Sequence, residues 1–145
     1  MSAAAAVAEI RVGKTLKSGP YVLDAGAAKL YGAAIDGPPR QRPPAGIHDD
    51  QDAARRAGFV APIAGGEQTI AIVAQFLADQ FGMRFARGGR LEVTLTRPVL
   101  FGDTLTSHAS ITAVDAERAT LSVRVENQHG EEVLVGNATV RAAGK

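Results

Sequence analysis

The segment from Glu67 to Phe81 is apolar around most of its circumference, and this constrains the fold more than any other feature of the chain. At helical spacing its apolar side chains fall on two faces, which hold Ile70, Val73, Ala74, Leu77 and Phe81 on one side and Ile72 and Phe76 on another. A helix of this kind is stable in water only when other elements cover it on several sides. The sequence therefore predicts a central helix that the rest of the chain surrounds.

After Gly88 and Gly89 the hydrophobic period changes from that of a helix to two residues. Four segments then alternate apolar and polar residues, as strands with one buried face do; their apolar residues begin at Leu91, Leu105, Ala119 and Val133. In the second segment the predicted inward residues are Leu105, Ala109, Ile111 and Ala113. The separators are short and predict hairpins, at Leu100–Asp103, Asp115–Arg118 and Gln128–Glu131. An antiparallel meander wrapped around the central helix follows, which is an α+β fold.

The first part of the chain is predicted to contain shorter elements. The apolar stretches of Glu9–Leu23 predict two short strands or an arm, and Asp24 is placed to cap a helix running to about Ile35. The next residues, 36–46, contain four prolines, which remove backbone donors and hold the chain extended. We therefore expect a long loop at 37–46.

A second short helix is predicted directly after that loop. Asp49 or Asp50 can cap its N-terminus, and Gly58 can end it in a left-handed conformation.

Composition limits the classes of function. At 145 residues, 46% of them hydrophobic, the whole chain (1–145) is expected to form one domain. The formal charge of +1 gives no field that would gather nucleic acid or anionic lipid, and the lack of cysteine excludes disulfides and thiolate chemistry. No segment has the length of a membrane span or the pattern of a signal peptide, so we expect a cytoplasmic protein. A small open sheet leaves one edge uncovered, which predicts a homodimer or a larger homo-oligomer.

Several motifs resemble one known family, the MaoC-like (R)-specific enoyl-CoA hydratases. They are Ile47–Asp50, Ala53–Ala54, Gly58–Phe59, Pro62–Gly66, Arg97–Asp103 and Gly136–Ala138, and the resemblance extends from about Asp24 to the end of the chain. It implies the hot-dog fold, in which an antiparallel sheet wraps a long central helix. It also implies reversible addition of water to a trans-2-enoyl thioester of coenzyme A or of an acyl carrier. No cofactor or metal beyond that thioester is implied.

The family pattern is an Asp, then Asn-Pro, an aliphatic residue and a His, with the Asp five positions before the His. His48 matches the histidine and Asp50 the carboxylate that often follows it. An ungapped alignment, however, places Pro43 at the catalytic Asp, and proline can neither take nor give a proton. Asp36 lies twelve positions before His48 and follows the predicted helix as the family Asp does, so an insertion of seven residues would restore the pair.

Hydration needs a base that activates water at C3 and an acid that protonates C2, and the resemblance assigns this work to Asp36 and His48. Gly66, at the entrance to the central helix, is expected to offer its N–H to the thioester oxygen. Gly65 replaces the histidine that the family usually has there. The remaining candidate substrate-binding residues are Tyr31, Ile63 and two loop arginines, Arg40 and Arg42, which can meet the phosphates of coenzyme A.

Each assignment has a purely structural alternative. His48 is then a half-buried histidine bonded to a neighbouring backbone group, and Asp36 a turn residue. Gly65 and Gly66 would only permit a tight turn, the loop arginines would serve solubility, and Asp49 and Asp50 would act only as caps. His108 and His129 are predicted to face solvent, because they lie on the polar side of a strand and in a turn.

Three functions therefore remain open at this point. The first is an acyl-thioester hydratase or dehydratase. The second is an inert hot-dog subunit that binds acyl-CoA or completes a dimer, which the missing Asn-Pro favours. The third is a thioesterase that uses Glu67, because some hot-dog thioesterases place a carboxylate on the central helix.

Overall fold

The chain forms nine short or medium-length elements within residues 6–27, 30, 34 and 46–143, which are the residues that the computed structural model describes. In order they are β1 (Thr15–Lys17), β2 (Tyr21–Val22), α1 (Gln51–Arg56), α2 (Gly66–Phe81), α3 (Met83–Ala86), β3 (Arg90–Leu95), β4 (Thr104–Val114), β5 (Arg118–Glu126) and β6 (Glu132–Arg141). Residues 25–27, Leu30 and Ala34 are also helical, and the Ala27 N–H donates to Asp24 Oδ1 at 2.7 Å, which confirms the predicted cap. The predicted loop lies outside the described residues, apart from Gly46.

The central helix α2 has the buried surface that its sequence requires. Val73, Leu77 and Phe81 are fully buried, and Phe76 on the second apolar face is 5% exposed. Full burial of such side chains stabilises the fold by about 1.5–3 kcal/mol each. The helix ends at Phe81, and its C-cap Gly82 has a φ of 54° and a ψ of −131°, a combination that glycine adopts without strain. The prediction of a helix covered on several sides is confirmed.

The sheet is antiparallel and has the order β1-β4-β5-β6-β3, with β2 also paired to β4. Strands β4, β5 and β6 form the predicted meander, but the predicted hairpin between β3 and β4 is wrong. Strand β3 pairs with β6 at the opposite edge, where Leu91 faces Ala138. Directly after β3, the Thr96 N–H donates to the Val133 carbonyl at 3.0 Å, so residue 96 still lies beside the start of β6. Residues 96–103 therefore cross from one side of the sheet to the other.

The alternating burial predicted from the sequence is found throughout β5 and only in part in β4 and β3. Ala119, Leu121, Val123 and Val125 are all buried, as predicted. In β4, a register shift between Ile111 and Ala113 leaves Ala113 exposed instead of facing the core. In β3, Leu91 and Val93 are only half-buried and Leu95 is 44% exposed, because this strand is an edge of the sheet.

The prediction that His108 faces solvent is also wrong. The residue does lie on the outer face of β4, but its side chain is only 20% exposed and its Nε2 lies 3.2 Å from Glu126 Oε2. Glu126 on β5 is paired with Thr106 on β4. Because His108 lies two residues further along β4 on the same face, its ring reaches the Glu126 carboxylate. His129 is exposed in the β5–β6 turn, as predicted.

The β4–β5 turn is closed by Asp115. Its Oδ1 accepts hydrogen bonds from the backbone N–H groups of Arg118 and Glu117, both at 2.8 Å. These bonds favour the ionised carboxyl and hold the pKa of Asp115 below its usual value. A lowered pKa means that the contribution to stability is present above the unfolded-state pKa and is lost as the pH falls through the folded-state pKa.

No helix within the described part of the chain is long and apolar enough to cross a lipid bilayer.

Gly136 of β6 is paired with Val93 of β3 and lies against its backbone. A Cβ at this position would lie 2.7 Å from Val93 Cα and closer still to the Glu92 carbonyl oxygen. We therefore expect Gly136→Ala to lower the free energy of unfolding by about 1–3 kcal/mol, because backbone of β3 would have to move. Urea denaturation measures this change. Gly19→Ala is the matched control, since a Cβ there meets nothing within 4 Å. Equal stability of the two variants would contradict the prediction.

Candidate active site

His48 lies in a turn that the carboxylates of Asp49 and Asp50 stabilise by accepting backbone hydrogen bonds. Asp49 Oδ1 accepts a hydrogen bond from the Gly46 N–H at 2.7 Å, and Asp50 Oδ1 accepts one from the Ala53 N–H at 2.6 Å. Asp50 is thus the N-cap of α1, as predicted. Gly58 follows the end of α1 with a φ of 91°, which confirms the predicted left-handed termination. The position of the histidine is therefore set by local sequence signals.

A short backbone ladder ties this turn to the entrance of α2 and to the crossing segment 96–103. The Ile63 N–H donates to the Ile47 carbonyl at 3.0 Å, and the Ala64 N–H donates to the Val99 carbonyl at 2.8 Å. Ile63 also forms an antiparallel bridge with Leu100. Three segments that are distant in sequence are therefore held side by side.

The imidazole of His48 is held by the same ladder. Its Nδ1 lies 2.8 Å from the carbonyl oxygen of Ile63, although the residue as a whole is exposed. A carbonyl oxygen only accepts hydrogen bonds, so Nδ1 carries the proton in this contact. In the neutral ring the lone pair is then on Nε2. The contact is the one that the structural alternative expected, and it also leaves a nitrogen able to accept a proton.

The N-terminus of α2 offers a hydrogen-bond donor close to this histidine. Gly65 is the N-cap and makes no side-chain cap, and Gly66 is the first helical residue. The Gly66 N–H has no hydrogen-bond partner among the described residues. The first N–H groups of a helix have no partner within the helix, and the helix dipole makes them favourable for negative charge.

Neither glycine is required by its backbone conformation. Gly65 has a φ of −63°, and Gly66 is absent from the glycines that have positive φ. Both conformations are open to any residue, so the tight-turn alternative does not explain them. A Cβ on Gly66 would meet Leu95 Cδ1, the end of a flexible side chain that packs against this glycine.

His48 and Gly66 line one cleft of about 290 Å³. Ile63 and Thr69 line the same cleft, as do Arg97 and its neighbours in the crossing segment. The Arg97 side chain is 58% exposed, and its Nη1 lies 3.8 Å from Glu131 Oε1. The cleft therefore combines a proton acceptor, a helix N-terminus and a cation at its rim.

The family model described as MaoC like domain matches residues 45–133 of the chain. The chain belongs to the MaoC-like domain family. No curated protein matches it significantly.

Solved structures of other proteins share the fold over nearly the whole chain. The (R)-hydratase of A. caviae involved in PHA biosynthesis has a TM-score of 0.74 and 23% identity, and the match covers 92% of this chain and 97% of that one. R-hydratase PhaJ1 from Pseudomonas aeruginosa has a TM-score of 0.75 and 25% identity over 94% of this chain and 84% of that one. The MaoC-like dehydratase from Rhodospirillum rubrum has a TM-score of 0.70 and 27% identity over 93% and 94%. The α+β hot-dog fold predicted from the sequence is confirmed.

The structure brings together part of the predicted MaoC-like site. His48, Ile63 and Gly66 line the cleft, while Gly65 is buried beside it as the N-cap of α2. The other predicted site residues, Tyr31, Asp36, Arg40 and Arg42, lie outside the described residues. Their roles therefore stay predictions.

Arg97 and Thr69 were not predicted from the sequence as parts of the site. Arg97 is the first residue of the motif Arg97–Asp103, which resembles the family. It was not assigned to the site, because a hairpin was predicted at Leu100–Asp103. The pairing of Ile63 with Leu100 places it at the cleft. Thr69 is 1% exposed, and its position three residues after Gly66 on α2 was the available signal.

Among the described residues, no three His, Asp or Glu side chains are grouped so that they could hold a metal ion.

The bond to Ile63 predicts a single neutral tautomer of His48. Long-range ¹H–¹⁵N spectra at a pH where the ring is neutral should show a proton on Nδ1 and none on Nε2. His108 is the contrast, because its Nε2 lies 3.2 Å from Glu126 Oε2, an acceptor, and should carry the proton in the neutral ring. The His48→Gln spectrum assigns the signals. A proton on Nε2 of His48 would contradict the geometry described above.

Proposed function

We propose that this MaoC-like chain is an acyl-thioester hydratase or dehydratase, which adds water reversibly to a trans-2-enoyl-CoA to give a 3-hydroxyacyl-CoA. The observation that carries the proposal is the shared cleft, in which His48 and the unpartnered N–H of Gly66 lie together. The (R)-hydratases with the same fold support the reaction class.

The proposed reaction assigns one task to each group. A basic residue accepts a proton from water, and the water oxygen forms a bond to C3 of the enoyl group. The electron pair of the double bond moves toward the carbonyl, so negative charge develops on the thioester oxygen. The Gly66 N–H, at the positive end of α2, stabilises that charge. Protonation at C2 completes the addition.

His48 and Asp36 are proposed to share the two proton transfers. The Nε2 lone pair of His48 can accept a proton, while its Nδ1 bond to Ile63 keeps the ring in place. The proposal requires that the proline-rich insertion between Asp36 and His48 loop out and return the two side chains to one water molecule. Tyr31 and Ile63 are proposed to contact the acyl group.

The carrier of the acyl group is proposed to be coenzyme A or an acyl carrier protein, both of which present phosphate. Arg97 stands at the rim of the cleft and is largely exposed, so it can form charge-assisted bonds with a phosphate. Arg40 and Arg42 are proposed to assist it from the insertion.

A homodimer is proposed because strand β3 leaves an edge of the sheet unpaired in the described chain. Leu95 on this strand is 44% exposed, and a second copy would cover it and the free backbone groups beside it. The proposed location is the cytoplasm.

A second candidate is an inert MaoC-like subunit that binds acyl-CoA while a partner supplies the chemistry. Pro43 favours it, because proline occupies the position of the catalytic Asp when no insertion is assumed. No observation favours the thioesterase alternative: Glu67 is exposed and is not among the residues that line the cleft at His48.

Incubation with crotonyl-CoA distinguishes the candidates. We expect the absorbance of the conjugated enoyl thioester to fall without release of free thiol, because hydration removes the double bond and keeps the thioester. Thiol release would instead indicate hydrolysis. Binding of crotonyl-CoA and of longer enoyl-CoAs without any turnover would reject the proposal in favour of the inert subunit.

Substitution of the proposed acid and base tests their roles. His48→Gln and Asp36→Asn should each lower kcat by about 10²–10⁴-fold, because each removes a group that moves a proton in the transition state. The matched controls are His129→Gln and Asp52→Asn, which change exposed residues outside the cleft and should keep the wild-type rate. Full activity of Asp36→Asn would remove that residue from the mechanism and leave His48 to be judged by its own variant.

A further inference from the structure

A second and larger cavity, of about 470 Å³, lies on another side of α2. Gln68, Ala71 and Ile72 form its helical wall, and residues 17–21 and Ser107 form the wall opposite. No described residue lines both this cavity and the cleft at His48. Its volume is within the range of about 300–1,000 Å³ that is typical of small-molecule sites. We call it the Ser107 cavity.

The Ser107 cavity lies where the edge of the sheet is interrupted. Strand β1 pairs with β4 as far as Lys17 and His108, and β2 resumes the pairing at Tyr21 and Leu105. Between them the Ser107 N–H donates to the hydroxyl of Ser18 at 2.9 Å instead of to a backbone carbonyl. Residues 18–20, which interrupt the two strands, therefore form part of the cavity wall.

Ser107 is a polar residue at an inward position of β4. It lies between Leu105 and Ala109 on the buried face and is 0% exposed. Its Oγ has no hydrogen-bond partner within the described structure. Buried hydroxyls are normally paired, and an unpaired one needs an explanation such as a ligand.

A second buried and unpaired atom lines the same cavity. Gln68 Oε1, on the first turn of α2, also has no hydrogen-bond partner among the described residues. The remaining inner surface is mostly apolar and includes Leu23, Ile72 and Phe76. An apolar cavity with a few convergent polar atoms is the usual form of a small-molecule site.

The polar atoms restrict the chemistry of the ligand. Gln68 Oε1 only accepts hydrogen bonds, while the Ser107 hydroxyl can donate or accept. A hydroxyl or a primary amide can satisfy both atoms, whereas an ionised carboxylate has no proton to give to Gln68. The charged lining residues are Lys17 and Asp79, which are opposite in sign, and Asp79 Oδ1 already accepts from Gln75 Nε2 at 2.7 Å. The cavity thus has no net charge that would select an ion.

We propose that the Ser107 cavity binds a neutral aliphatic molecule with a hydroxyl or primary amide at one end, at a site separate from the His48 cleft. The apolar chain lies along Ile72 and Phe76, and the polar end bonds to Ser107 and Gln68. This proposal does not depend on the proposed hydration reaction, because ligand binding to the Ser107 cavity is measured without an acyl thioester.

Titration of the full chain with 1-octanol, octanamide and octanoate, followed by calorimetry and ¹H–¹⁵N NMR, tests the site. We expect saturable 1:1 binding of the alcohol and the amide, shifts at the Ser107 N–H and the Gln68 side-chain amide, and at least tenfold weaker binding of octanoate. Equal affinity for octanoate would overturn the proposed ligand class. Absence of saturable binding up to the solubility limit would overturn the proposal.

Two variants test the location of binding. Ser107→Ala should weaken binding of 1-octanol by about 3- to 10-fold, the usual effect of one lost hydrogen bond. Ala71→Leu should reduce it at least tenfold by filling the cavity, while Ala78→Leu, on the same helix but outside the lining, should leave it unchanged. Circular dichroism verifies that each variant folds. Unchanged affinity in Ala71→Leu, or competition between crotonyl-CoA and 1-octanol, would overturn the assignment of a separate site.

Discussion

The candidate site depends on a ladder of backbone hydrogen bonds more than on any single side chain. The Ile63 N–H is bonded to the Ile47 carbonyl, and the Ala64 N–H to the Val99 carbonyl. These bonds place the histidine turn, the entrance of α2 and the crossing segment 96–103 beside one another. Because the Ile63 carbonyl also accepts from His48 Nδ1, the ladder orients the imidazole as well as the backbone. The placement of His48 beside the entrance of α2 is therefore set by main-chain hydrogen bonds.

The central helix α2 packs into the core and also borders two separate cavities. Val73, Leu77 and Phe81 are fully buried and hold the helix against the sheet. On one side of them the helix N-terminus faces the His48 cleft, and on another Gln68 faces the Ser107 cavity. Polar atoms placed in a core cost stability unless they are paired. Ser107 Oγ and Gln68 Oε1 both belong to residues that line the Ser107 cavity, and this is the basis of the ligand that we propose for it.

Local patterns in the sequence predicted the elements well because their causes are local. Asp24, Asp50 and Gly58 act within one helical turn, and the alternation of β5 needs only its own residues. The pairing of β3 with β6 was missed because short separators suit a hairpin equally well, and the bonds that decide the matter join Thr96 to residues 132 and 133. Arg97 was missed as a site residue for the same reason.

The sequence by itself determined the helices and strands, the helix that must be buried, and the resemblance that pointed to His48 and Gly66. Periodicity, caps and motifs carry this information because each acts over a few neighbouring residues. Only the tertiary structure decided the strand order, the tautomer of His48 and the common cleft, and it alone brought Ser107 and Gln68 to one cavity. These features join residues that are separated by about 15 to 95 positions, and no local preference specifies which distant partners will meet.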